Sequence, residues 1–180
     1  MKRRKFIANA VVVTGGLCGM SQFAWAETFL TIPQAKSVLF GPDETFTKVE
    51  VVLTKAQKKT IAKASNVRVR NLVLNAWKTA DNAWFIVDQV IGKHENIDIA
   101  VALTPQGKVK GIEILTYRES YGHEVRNGKW RAQFHGRDAS EYLRLGDQIK
   151  NISGATLSCR HITDGINRLT HTWEQVLRHL

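Results

Sequence analysis

"NIDIAVALTPQGKVKGIEILTY", residues 96–117, decides the fold. Ile97, Ile99, Val101 and Leu103 recur at every second position, so they share one face of a strand, and that face is expected to be core. Thr104-Pro105-Gln106-Gly107 then reads as a turn, and Lys108–Tyr117 as the next strand. Two strands joined by so short a break pair antiparallel, because a parallel crossover needs a dozen residues or more. The same grammar extends upstream. Leu72–Lys78 and Ala83–Ile91 read as strands, with breaks at Thr79-Ala80-Asp81-Asn82 and Gly92-Lys93-His94-Glu95-Asn96. Four strands in sequence predict an antiparallel meander.

Helical patterns flank the meander. "TIPQAKSVLF" begins on Thr31 with Pro33 in its first turn, and Gly41 follows its end. "TKAQKKTIAKAS" predicts a second helix capped by Thr54. A last helix is expected from Ser158 to about Arg178, with Ile162, Ile166, Leu169, Trp173, Val176 and Leu180 as one apolar stripe. The fold class is therefore α+β. Between Tyr117 and the last helix, "RESYGHEVRNGKWRAQFHGRDASEYLRLGDQ" has no long period. Such a segment inside a compact domain is either disordered or functional, and its aromatics argue against disorder.

The N-terminus reads differently. Lys2, Arg3, Arg4 and Lys5 precede an apolar stretch from Phe6 to about Trp25, and Ala24-Trp25-Ala26 precedes Glu27. This is the pattern of a secretory signal peptide over 1–26, and "KRRKFIA" resembles a twin-arginine signal. Leu17 before Cys18 argues against a lipoprotein anchor. The expected domain is 27–180, exported and periplasmic, with peripheral association to a membrane as a further expectation. Removal of the four basic residues leaves 22 basic against 16 acidic side chains, a balance of +6. The recognisable nucleic-acid modules are missing, so the charge is not read as a nucleic-acid footprint. A single cysteine, Cys159, would remain, which excludes an internal disulfide.

"NISGATLSCRH", residues 151–161, gathers small and hydroxylated residues at the mouth of the last helix. Free backbone N–H groups at a helix start attract anions. Gly154 and Ala155 let a phosphate approach the backbone, and Ser153, Thr156 and Ser158 offer hydroxyls. A plain N-cap accounts for the same residues, whereas a Walker loop does not, since its Gly-Lys-Ser/Thr ending is missing. A hydrolase would need an activated serine. Ser153, His161 and Asp164 supply only the residue types, and no G-x-S-x-G elbow is present. A non-redox periplasmic ligand-binding module is the other alternative.

"ISGATLS" ahead of a C-terminal helix resembles the flavinylation site of the FMN-binding domain family. That family includes peripheral subunits of the Rnf complex and of the sodium-translocating NADH:quinone reductase, together with small exported electron carriers. The resemblance implies FMN joined by a phosphoester to the threonine of S-G-A-T, here Thr156, with Ser153, Gly154, Ala155, Leu157 and Ser158 around it. A separate flavin transferase makes that bond from FAD and releases AMP. "GKHENIDIAVALTPQGKVKGIEILTYRES" is similar to the family's strand pair and acidic segment, which puts Glu119 and Ser120 beside the flavin, and "TDGIN" to its last helix. The resemblance extends over about Trp84–Leu169.

Gly122, Trp130 and Phe134 are then candidates to wall the ring, or else a turn glycine and core aromatics. His123 and His161 are candidates to bond flavin or phosphate, or else satisfied or surface histidines. The expected function is electron transfer between redox partners such as a cytochrome or a membrane redox subunit. The chain has no dinucleotide fingerprint, so stand-alone oxidation of NADH is not expected. No metal ligands are assigned. The chain departs from the family at Lys150, where many members carry Asp three residues before the motif serine; here the nearest is Asp147.

Overall fold

The computed structural model describes residues 27–180; the expected leader, 1–26, lies outside the described residues. Six antiparallel strands form one sheet in the order β1-β6-β5-β4-β3-β2. In chain order the elements are β1 (Glu27–Thr28), α1 (Ile32–Phe40), β2 (Phe46–Val52), α2 (Lys55–Ser65), β3 (Val73–Thr79), β4 (Trp84–Ile91), β5 (Asn96–Leu103) and β6 (Val109–Tyr117), then the one-turn α3 (Gly128–Arg131) and the long α4 (Thr156–Gln175). β2 to β6 are the meander, and β1 pairs with the free side of β6. The α+β reading holds, and its four strands are β3 to β6 within a residue or two.

Two strands were not anticipated. β2 is an edge strand whose Thr47, Lys48, Glu50 and Val52 are exposed, so it carries little alternation to read. Charges on such an edge are what keep it from pairing with another chain. β1 is only two residues long.

The sheet is covered on both faces. α2 and α4 lie on one, over a core that includes Ile97, Ile99, Val101 and Leu103, all fully buried. The shared face expected for β5 is therefore the main core. α1 lies on the other face, where Ala35 packs with Phe85, Ala100 and Leu115. α1 and α2 each start on a capping box, Thr31 with Gln34 and Thr54 with Gln57, which satisfies two otherwise orphaned N–H groups per helix.

α4 starts and stops earlier than its sequence suggested, at Thr156 and Gln175. A 3₁₀ turn over Leu177–His179 changes the period. Leu177 is buried as a result, and Leu180, expected on the apolar stripe, is 57% exposed. Gly165 lets α4 sit close on β4, since a Cβ there would lie 2.7 Å from Val90 Cγ1.

The irregular segment is ordered by long-range bonds. Asn167 of α4 grips the backbone of Leu143 twice, accepting from its N–H (3.0 Å) and donating to its carbonyl (2.9 Å). Trp130 Nε1 donates to Lys150 O (2.7 Å), and Arg131 donates to Ile112 O (2.7 Å).

Candidate functional site

The site begins where β6 ends. Tyr117 is fully buried, and its hydroxyl donates to Tyr121 O at 2.6 Å. The same oxygen lies 3.0 Å from Ser158 Oγ. Because the phenol proton is committed to Tyr121, Ser158 donates to it. One phenol thus ties the 118–122 turn to the first turn of α4. Burial pushes the phenol's pKa up, against the hydrogen bond from Ser158 that draws it down, so it stays a neutral donor.

Gly122 closes the joint. Its φ is +91°, and a Cβ would lie 2.5 Å from Tyr117 Oη and 2.9 Å from Ala155 Cβ. Only glycine meets both demands. Ala155 is buried beneath it. The loop ahead of α4 turns tightly: Ala155 N–H donates to Ile152 O (3.0 Å), and Gly154, at φ +84°, takes the turn's third position with open space around it.

α4 differs from α1 and α2. Its N-cap is Ala155, which has no side-chain acceptor, and no side chain caps the first turn. The backbone N–H groups there keep their capacity for an acceptor, and the helix dipole favours a negative one. Thr156 is exposed at this point, and Asn151 Nδ2 donates to its Oγ1 at 3.0 Å. Ser153 is also exposed, and Leu157 is 39% exposed. A surface hydroxyl, an open glycine turn and an uncapped helix start leave room and donors for a phosphodiester at Thr156. The donor set therefore fits a covalently held FMN.

The other expected residues divide. Gly122 and Ser158 are in the joint as described. Ser120 and His123 are exposed, and the His123 ring lies 5.0 Å from that of Tyr117 and 6.4 Å from that of Phe29. Glu119 is nearly buried, and its carboxylate accepts from the backbone N–H of His94 (2.6 Å) and Glu95 (3.0 Å). Burial alone would raise its pKa, but the N–H donors of Glu95, His94 and Lys93 outweigh it and hold the carboxyl below its usual range. Gly92 is required beside it, since a Cβ would lie 2.3 Å from Glu119 Oε1.

His161 binds Ile91 O through Nδ1 at 2.6 Å, so that nitrogen serves the end of β4. Phe134 is fully buried in the main core, where it cannot wall a bound ring; of its two readings from sequence, the core aromatic holds. Trp130 is 6% exposed and lines a shallow hollow of about 490 Å³ with Glu124, Lys129, Lys150 and Ile152. Cys159 is fully buried, and burial pushes its thiol's pKa up, which makes it a packing residue with little thiolate.

A larger cleft of about 520 Å³ runs along α4 beside β4, lined by Asp88, His161, Asp164 and Arg168 among others. None of residues 151–158 lines it, so the larger cleft is separate from the mouth of α4. Among the described residues no group of three or more His, Cys, Asp or Glu is placed to hold a metal ion.

Residues 92–171 match the family model of the FMN-binding domain. This stretch belongs to the FMN-binding domain family. It runs from Gly92, against Glu119, to His171 of α4, and so takes in both sides of the joint. No curated protein matches the chain. The FMN-binding domain begins later than the resemblance beginning near Trp84, leaving α1, α2 and β1 to β4 outside it. The matched stretch is thus a flavin-binding domain, and FMN is the flavin that its family model specifies. Tyr117, Tyr121 and Asn151 were missed as members of the site. Their roles rest on a hydroxyl, a carbonyl and an amide brought together by folding, and no local pattern announces them.

Proposed function

We propose that Thr156 carries FMN through a phosphoester and that the protein is an exported electron carrier. The observation that supports this most is an exposed Thr156 hydroxyl, held by Asn151, at an uncapped helix start inside an FMN-binding domain. In the attachment step Thr156 Oγ1 attacks the FMN phosphorus of FAD. A new O–P bond forms, the pyrophosphate bond breaks, AMP leaves, and the hydroxyl proton passes to the transferase or solvent. Asn151 helps by donating to the oxygen without occupying its proton. The backbone N–H groups of the first turn of α4 then receive the phosphate's charge. Gly154 leaves room above the loop, and Gly122 keeps the 118–122 turn pressed on Ala155.

Bound FMN supplies the exchange of one or two electrons, and the protein supplies position and electrostatics. A covalent link keeps the site filled outside the cytoplasm whatever the free flavin concentration. Export over residues 1–26, peripheral membrane association and an acidic redox partner, a cytochrome or membrane subunit, belong to the same proposal. The +6 balance of residues 27–180 would speed encounter with such a partner by steering.

Co-expression with a flavin transferase tests the reading. Purified protein should be yellow, and the colour should stay with the chain through denaturation. A colourless protein, or flavin released on unfolding, would overturn covalent attachment. A colourless protein that binds another small molecule would favour the ligand-binding module.

A further inference from the structure

Six large apolar side chains are markedly exposed among the described residues: Val38, Val52, Val73, Tyr121, Leu157 and Leu180. Val38 is on α1, Leu180 ends the chain, and Val52 and Val73 face each other across β2 and β3. The remaining two belong to the two sides of the joint, Tyr121 to the 118–122 turn and Leu157 to the first turn of α4. Leu157 follows Thr156 directly. Tyr121 is 82% exposed, yet its backbone carbonyl is tied into the joint. Its carbonyl receives the Tyr117 hydroxyl, and its neighbour Gly122 is pressed against Ala155. The bond to this carbonyl sets where the Tyr121 backbone lies, and its aromatic ring is open to solvent. The Tyr117–Ser158 bond sets that place within one helical turn of Thr156.

We propose that Tyr121, backed by Leu157, is the platform on which the isoalloxazine ring of a Thr156-linked flavin lies. This rests on the attachment reading above. A tethered flat ring needs an apolar surface within reach, and stacking on an aromatic face supplies it. Phe134 is enclosed in the core, and Trp130 keeps only its edge at the surface. Tyr121 offers a whole ring. The phenol also lies where it can quench the excited flavin by donating an electron to it, with the electron returning at once and no net oxidation.

The test uses the full-length protein co-expressed with the transferase, as wild type, Tyr121→Ala, Tyr121→Phe and Leu157→Ala. Fluorescence on a denaturing gel reports attachment. Native fluorescence relative to the denatured sample, together with the visible absorption band, reports stacking. Each substitution keeps the backbone carbonyl that binds Tyr117, so the loop anchor survives. Attachment should be equal in wild type and the two Tyr121 variants, and fluorescence in Leu157→Ala is read per attached flavin. In Tyr121→Ala native fluorescence should rise roughly twofold to tenfold, the range an aromatic pair commands. Tyr121→Phe should keep the wild-type absorption band, and Leu157→Ala should show a smaller rise. Equal attachment with unchanged native fluorescence and absorption in Tyr121→Ala would overturn the platform and leave the attachment reading intact. An unlabelled wild-type chain would sink attachment, and the platform with it.

Discussion

The hydroxyls of Tyr117 and Ser158, 41 residues apart in sequence, lie 3.0 Å from each other inside the protein. This bond joins the end of β6 to the start of α4. It is where the sheet sets the position of the proposed attachment residue. Its removal has a definite cost. Tyr117→Phe leaves the buried Ser158 hydroxyl and the Tyr121 carbonyl without their partner, a loss of about 1–3 kcal/mol for an unsatisfied buried group. Ser158→Ala alone should cost less, because Tyr117 keeps its bond to Tyr121. In a thermal-melt double-mutant cycle the double variant should be more stable than the sum of the single losses predicts, since no orphaned hydroxyl remains. Strict additivity would mean that the two side chains do not interact.

Gly122→Ala should destabilise the protein by about 1–3 kcal/mol, the usual cost of overpacking, with the positive φ adding to it. The effect should reach the site. The added methyl pushes on Tyr117 Oη and Ala155 Cβ, so flavin loading per folded molecule should fall as well. Gly128→Ala, which meets open space, is the control and should change neither. Equal melting temperatures for the two variants would contradict the close approach.

Glu119 gives the protein an acid-sensitive turn. Its carboxyl is held below the usual range in the fold, so its contribution is complete above the unfolded value of about 4.5 and is lost as pH falls through the lower folded value. Wild type should therefore exceed Glu119→Gln in stability at neutral pH, and the gap should narrow once the pH drops below 4.5. Chemical denaturation of both proteins across that range measures it. A gap that stays constant would mean that the charge on Glu119 adds nothing to its grip on His94 and Glu95.

The meander was legible because β5 alternates at Ile97, Ile99, Val101 and Leu103 and the breaks around it and its neighbours carry Gly, Asn, Asp and Pro. β2 was not, because an edge strand buries only part of one face and its Lys48 and Glu50 mask the period. The end of α4 was misread for a related reason: a 3₁₀ turn after Gln175 rotates the stripe, and hydrophobic spacing alone does not announce it. Thr156 was legible from a short motif, since the chemistry sits in consecutive residues. The rest of the site was not. Asn151, Tyr117 and Tyr121 act through contacts that exist only after the sheet has formed. Phe134 is the opposite case, an aromatic in an irregular segment that the core absorbed entirely.

Covalent FMN on Thr156 is the central claim, and peptide mass spectrometry of protein co-expressed with the transferase tests it most directly. The peptide containing residues 151–160 should gain the mass of one FMN less one water, with the fragment ions placing the addition on Thr156. Thr156→Ser should keep a reduced share of the modified peptide, because the hydroxyl survives, and Thr156→Ala should have none. An unmodified wild-type peptide, or a modification that persists in Thr156→Ala on Ser153 or Ser158, would contradict the account.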